Sequence, residues 1–193
     1  MILDGSRGYD AVAQRFIALR SKEIGVQEVT QWAKALPVGG SVIDLGCGSG
    51  IPLTKILEDQ GLIVYGIDAS MKMVEQFSKN LPEAKVACED VCRSAFFNRK
   101  FDGVLAWGLL FLLKKNEQKQ LIKAIAAIMR PGGQFLFTAQ KEKIRWKDQL
   151  TLQESVSLGE EEYLKNLKEL GFENVNQFYD VGKNHYFNMV STK

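Results

Sequence analysis

A short apolar run that breaks into alternating glycines constrains this chain most. Val42-Ile43-Asp44-Leu45 leads into Gly46-Cys47-Gly48-Ser49-Gly50, and Ile51-Pro52 follows. The apolar run predicts a buried strand. Glycines at alternate positions permit a sharp turn and let a ligand touch main chain with no Cβ in the way. Proline suits the first turn of the helix that comes next, whose free N–H groups and partial positive charge face the same turn. The spacing is G-x-G-x-G, not the G-x-G-x-x-G of dinucleotide sites, and the phosphate loop G-x-x-x-x-G-K-[ST] is absent. Taken alone, the run also fits a turn that serves only the fold.

The surroundings carry the pattern further. Apolar, β-branched runs predict strands at Ser41 to Leu45, Leu62 to Ile67, Ala84 to Cys88, Phe101 to Ala106 and Gln134 to Ala139. Amphipathic segments between them predict helices over Pro52 to Gln60, Met71 to Asn80 and Asn116 to Met129. This alternation reads as βαβ units and a parallel sheet covered on both faces. The first 36 residues read as two helices broken at Gly25. Ala11, Val12, Phe16 and Leu19 form the apolar side of the first, and Val26, Val29, Trp32, Ala33 and Leu36 that of the second. Residues 140–158 are polar and irregular, with a lone Trp146. A helix from Glu160 to Leu170 stops at Gly171, a favourable C-cap. Phe172 to Asp180 and His185 to Ser191 then form a hairpin, which reverses the last strand.

With 193 residues the chain suits one domain, 1–193, with a helical cap over 1–38 and a substrate-side insert over 140–158. Hydrophobic residues at 46% and charged residues at 25% exclude disorder, collagen and coiled coil for the whole chain. A net charge of only +2 gives no support for nucleic acid as a partner. Three irregularly spaced cysteines and one histidine form neither a disulfide framework nor a four-ligand zinc site, so no metal is expected. The N-terminal segment has no continuous apolar core of a signal peptide. The longest apolar run, 104–113, is too short for a membrane span, so a soluble cytoplasmic protein is expected.

Acids recur at the predicted strand ends. Asp68 closes the second strand, 22 residues after Gly46, near the spacing between a glycine loop and a ribose-binding acid. A carboxylate there can accept from both ribose hydroxyls, although Asp68 and Ser70 also stand where a helix N-cap belongs. Glu89 and Asp90 follow the third strand and border the same crevice. There an acid can accept from an adenine amino group, or simply sit in an exposed loop.

At these several places together the chain resembles the class I S-adenosylmethionine-dependent methyltransferases, over roughly residues 40–192. VIDLGCGSG is similar to their glycine motif, YGIDASMKMV to the second motif, CEDV to the third and FDGVLAWG to the fourth strand. LIKAIAAIMRPGGQFLFT is similar to the helix, Pro-Gly-Gly turn and fifth strand of small-molecule members. The resemblance implies an α/β, doubly wound, seven-stranded, mostly parallel sheet of order 3-2-1-4-5-7-6, with the last strand antiparallel and helices on both faces. It implies S-adenosyl-L-methionine as cofactor and a small-molecule methyl acceptor, with no membrane partner and the oligomeric state open. Gly46, Cys47, Gly48 and Gly50 then admit the methionine chain, with Asp44 making the crevice acidic. Asp68 takes the ribose, and Met73, Asp90 and Val91 the adenine, with Ala69 a further cofactor contact. The Trp107 carbonyl takes the cofactor amino group, and Tyr9 and Arg20 its carboxylate.

Methyl transfer from a sulfonium is an in-line displacement with an activated leaving group, so it needs alignment more than a catalytic triad. Many relatives carry a histidine near the position of Leu112; here the chain reads Leu109-Leu110-Phe111-Leu112-Leu113. A base then falls to Tyr163, Glu154 or the acceptor itself, with His185 read as structural. Phe111, Leu112 and Trp146 are expected at the acceptor pocket. No N-P-P-[YF] motif follows the fourth strand, which disfavours amide or base-amino methylation. Two alternatives stay open: a binding module that holds the cofactor without transfer, and a nicotinamide-dependent oxidoreductase, against which the glycine spacing and the missing Tyr-x-x-x-Lys pair speak.

Overall fold

A computed structural model describes residues 5–192. Its centre is a seven-stranded sheet of order β3-β2-β1-β4-β5-β9-β8. The strands are β1 (Ser41–Leu45), β2 (Ile63–Asp68), β3 (Lys85–Cys88), β4 (Phe101–Ala106), β5 (Met129–Thr138), β8 (Phe172–Tyr179) and β9 (His185–Ser191). β1 pairs in parallel with β2 and β4, β2 with β3, and β4 with β5. β9 runs antiparallel to both β5 and β8. Within this sheet the order is the expected one; the labels 8 and 9 arise because an extra hairpin, β6 (Arg145–Lys147) with β7 (Glu154–Val156), precedes the last two strands.

Strand alternation splits the core into two layers. Val42, Leu105 and Leu136 point to one face, where they meet Val29, Trp32 and Ala33 of helix α2 (Val26–Lys34) and Leu53 and Leu57 of α3 (Leu53–Asp59). Their neighbours Ile43, Val104, Phe135 and Phe137 point to the other. There they meet Leu121, Ile122 and Ile125 of α5 (Lys115–Ile128) and Tyr163 and Leu167 of α6 (Glu160–Glu169). The central strands are apolar on both sides because helices cover both sides. Helix α4 (Met71–Asn80) is capped by the Ser70 hydroxyl, which accepts from the Met73 amide, and buries Met73 and Phe77.

Helix α1 (Tyr9–Leu19) departs from the amphipathic reading. Ala11 and Leu19 are exposed, and of its residues only Ala13 is fully buried. The helix is held by polar links instead. Asp10 accepts from the Ser70 hydroxyl at 2.7 Å and the Lys72 amide at 3.1 Å, at the start of α4. Arg7, just before the helix, pairs with Glu117 of α5 at 2.6 Å. α1 therefore spans the sheet edge where the parallel strands end. Among the described residues no helix is long and apolar enough to cross a membrane.

Candidate functional site

A cavity of about 240 Å³ opens at the carboxyl ends of β1 to β4, beneath α1. The parallel register explains its composition. Asp44 stands opposite Gly66 on one side and Leu105 on the other, and Asp68 stands opposite Cys88. Strand ends in register bring Asp44, Asp68 and Asp90 to one rim, with Trp107 one residue past β4. All thirteen residues expected at the cofactor line this cavity: Asp44, Gly46, Cys47, Gly48, Gly50, Asp68, Ala69, Met73, Asp90, Val91, Trp107, Tyr9 and Arg20. Phe111 and Leu112 line it as well. Trp146 does not; its ring leans on Phe111, centroids 5.3 Å apart, and supports that wall from behind.

The glycine turn is built by Asp68. Its Oδ2 accepts from the Gly48 amide at 2.9 Å and its Oδ1 from the Ser70 amide at 2.8 Å. The carboxylate thus ties the turn after β1 to the start of α4, and each oxygen keeps further acceptor capacity toward the cavity. Burial pushes the Asp68 carboxyl up, against the pull of those two amide bonds. Asp68 thus organises the helix start, while Ser70 is the N-cap itself. Gly46, Gly48 and Gly50 all have positive φ. The Ile51–Pro52 bond is cis, and α3 starts one residue later than expected, with Pro52 as its N-cap.

Asp44 is 4% exposed, and its Oδ2 accepts from the Thr54 hydroxyl at 2.6 Å. Burial pushes its carboxyl up to about 7; Thr54 and Arg20 pull it down, and the Asp68 charge raises it. Arg20, at the end of α1, lies 3.8 Å over the Trp107 ring. Among the described residues it has no ion pair or hydrogen bond, and burial lowers its pKa. Trp107 is fixed from behind: its indole N–H donates to the Tyr186 hydroxyl, which donates to Asp180 at 2.9 Å. A cation over an aromatic face, with its fork unpaired, suits an anionic ligand group.

Tyr9 donates its hydroxyl proton to Asp148 Oδ2 at 3.0 Å. Asp90 folds on itself, accepting from the Cys92 amide at 2.9 Å. Tyr163 is fully buried, donates to Gln118 at 2.6 Å and lies off the cavity wall, so it reaches no acceptor there. Glu154 is also off this wall and pairs with Arg145 at 3.2 Å. His185 lies in β9, packed against Tyr179 and Phe187 and away from the cavity. Sequence reasoning missed Asp148, Arg7, Phe16 and Thr54 on the wall. For Asp148 a signal existed: its Oδ1 accepts from the Leu150 and Thr151 amides and from the Thr151 hydroxyl, an Asx turn spelled Asp-x-x-Thr.

A parallel sheet with a reversed last strand, its first three strand ends presenting acids around a glycine turn, defines the class I S-adenosylmethionine-dependent methyltransferase fold. Residues 42–133 match the family described as a methyltransferase domain. The chain is 31% identical over 134 residues to the 2-methyl-6-phytyl-1,4-hydroquinone methyltransferase of Synechocystis sp. (strain ATCC 27184 / PCC 6803 / Kazusa), covering 67% of this chain and 41% of that protein. It spans about two fifths of the length of the curated relatives it matches. Among solved structures it superposes on the CcbJ methyltransferase of Streptomyces caelestis with a TM-score of 0.77 and 16% identity, covering 98% of this chain and 99% of that one. It also superposes on the glycopeptide N-methyltransferase MtfA complexed with S-adenosyl-L-methionine, TM-score 0.69 and 19% identity, covering 88% and 94%.

Proposed function

We propose that this protein is an S-adenosyl-L-methionine-dependent methyltransferase that moves a methyl group onto oxygen, nitrogen or sulfur of a small molecule in the cytoplasm. The observation that carries it is the convergence of Asp44, Asp68 and Asp90, from three adjacent parallel strand ends, on one cavity with the glycine turn. The acids suit a ligand that bears a sulfonium and an ammonium, and no phosphate needs a cradle. The methyltransferase-domain match and a neighbour crystallised with that cofactor support the same reading.

The roles follow from what each group has free. Asp68 offers its remaining lone pairs to ribose hydroxyls. Asp90 and the Val91 amide serve the adenine edge, against Met73. Asp44 and the Trp107 carbonyl face the ammonium. Arg20, unpaired among the described residues, takes the carboxylate in preference to Tyr9, whose proton is committed to Asp148. Phe111 and Leu112, with Trp146 behind Phe111, form the acceptor side. When bound, the cofactor supplies an activated methyl group. The protein's contribution is to hold the acceptor in line and exclude water, and positioning of this kind lowers barriers by about 7–11 kcal/mol.

Calorimetric titration with S-adenosylhomocysteine and with NAD tests the cofactor. Binding of the first and not the second is expected; no response to millimolar adenosyl nucleosides overturns the reading. Turnover of methyl-labelled cofactor over phenols, amines, thiols and carboxylic acids tests the transfer.

A further inference from the structure

A second cavity, of about 450 Å³, adjoins the first and shares Arg7, Leu112 and Leu113 with it. Its charge is opposite. The first is lined by Asp44, Asp68, Glu89, Asp90 and Asp148 against two arginines. The second is lined by Arg7, Lys114, Lys115 and Arg145, with Glu154 as its one acid. These cations come from three separate parts of the chain: the segment before α1, the start of α5 and strand β6. Two of them are already paired, Arg7 with Glu117 at 2.6 Å and Arg145 with Glu154 at 3.2 Å. Lys114 and Lys115 have no ion pair among the described residues. Even with Glu117 counted, cations outnumber carboxylates four to two around this chamber.

We propose that the second cavity is the subsite for an anionic group, a carboxylate or a phosphate, on the methyl acceptor. This deepens the methyltransferase reading and rests on it. Leu112 and Leu113 form an apolar partition between the chambers. An acceptor whose apolar body lies along that partition has its anion drawn to the lysines and repelled by the acids of the first cavity. Its opposite end is thereby aimed at the first cavity, where the methyl group would be presented. Glu117 already occupies the first turn of α5, its carboxylate accepting from the Lys114 amide at 2.8 Å, so the attraction comes from the lysine side chains and not from the helix end.

Naphthalene probes of one shape and different charge test this in the full-length chain: 2-naphthoate, 2-naphthyl phosphate and neutral 2-naphthylmethanol, titrated calorimetrically with and without S-adenosylhomocysteine. At least one anion is expected to bind tenfold or more tightly than the alcohol, and the carboxylate and phosphate arms identify which. The double variant Lys114→Glu/Lys115→Glu is expected to bring the anions to the level of the alcohol, leaving the alcohol and S-adenosylhomocysteine unchanged. Lys114 is the N-cap and Lys115 the first residue of α5, where negative charge complements the helix dipole, so this variant is expected to retain its fold; Arg145→Gln provides an independent second variant, expected to weaken the anions severalfold. The proposal is overturned if the alcohol binds as tightly as both anions, if no probe binds, or if the double variant keeps anion affinity within twofold. Anion binding without any S-adenosylhomocysteine binding sinks the methyltransferase reading and leaves the anionic cavity standing; the reverse pattern does the opposite.

Discussion

The Tyr9 hydroxyl meets the Asp148 carboxylate at 3.0 Å on the wall of the first cavity, joining α1 to the turn of the β6–β7 hairpin 139 residues further along the chain. Burial raises the Tyr9 pKa, and the neighbouring Asp148 charge raises it further. Burial also pushes Asp148 up, but the bonds it accepts from Thr151, Tyr9 and Leu150 outweigh that and hold its carboxyl below the ordinary range. α1 has little apolar anchoring, so this bond adds to the Asp10 and Arg7 links that hold the cap. Tyr9→Phe is expected to cost about 1 kcal/mol of cap closure, the usual size of a hydrogen bond in a half-exposed place. S-adenosylhomocysteine then binds about fivefold more weakly, and limited proteolysis cuts faster near α1. Unchanged affinity and unchanged cleavage would show that the cap is held elsewhere.

Asp68 has two tasks, and its replacement separates them. From the sequence, Asp68→Ala is expected to weaken cofactor binding without touching the fold. The structure adds that the side chain secures the Gly48 and Ser70 amides. Losing an acceptor for two partly buried amides costs roughly 1–3 kcal/mol of stability, on the order of 3–10 °C in melting temperature for a chain of this size. Cofactor affinity falls tenfold or more in addition. Thermal melts with and without S-adenosylhomocysteine measure both; a melt identical to wild type would place Asp68 in binding alone.

Gly48 and Gly50 look alike in sequence and differ in space. A Cβ on Gly50 would come within 2.3 Å of Leu81 Cδ1 and 2.9 Å of Phe77 Cδ2, whereas one on Gly48 meets nothing within 4 Å. Both have positive φ, so either alanine carries about 1–2 kcal/mol of backbone strain. Gly50→Ala adds overpacking of about 1–3 kcal/mol and is expected to melt on the order of 10 °C lower. Gly48→Ala is expected to stay folded with a small loss, yet to bind S-adenosylhomocysteine at least tenfold more weakly, because its methyl group stands in the cavity. A Gly48→Ala protein that binds normally would assign that glycine to the turn only.

These contrasts show what the sequence could carry. Ser41–Leu45 and Phe101–Ala106 were legible to the residue because both faces of those strands are largely buried, which leaves a mostly apolar run broken only by Ser41, Asp44 and Asp102. The acids at Asp44, Asp68 and Asp90 were legible because parallel strands in register end at one edge. Helix α1 was legible as a helix, but its buried face was not: Ala11 and Leu19 recur at helical spacing, yet the helix roofs a cavity instead of packing on a core, and periodicity carries no information about what lies beneath. The β6–β7 hairpin was missed because three-residue strands, Arg145–Lys147 and Glu154–Val156, are too short to show alternation. With it went Asp148, whose role depends on a partner 139 residues away.

Asp44 is expected to make cofactor uptake sensitive to pH. Burial holds its carboxyl up at about 7, so near neutrality part of the population is protonated. A cation brought into the cavity favours the ionised form. Uptake of S-adenosyl-L-methionine at pH 6 therefore releases a proton, and affinity rises as pH climbs through about 7 and levels off above it. The unliganded fold responds in the other direction. A carboxyl raised in the folded state stabilises it below the ordinary carboxylate range, and that contribution is lost as pH rises toward 7. Titrations at pH 6, 7 and 8 in two buffers of different ionisation heat measure affinity and proton release together. Asp44→Asn is expected to flatten the profile and to weaken binding most at pH 8, where the wild-type carboxylate is fully charged. A wild-type protein with constant affinity and no proton release across this range would mean that Asp44 does not face the bound cation.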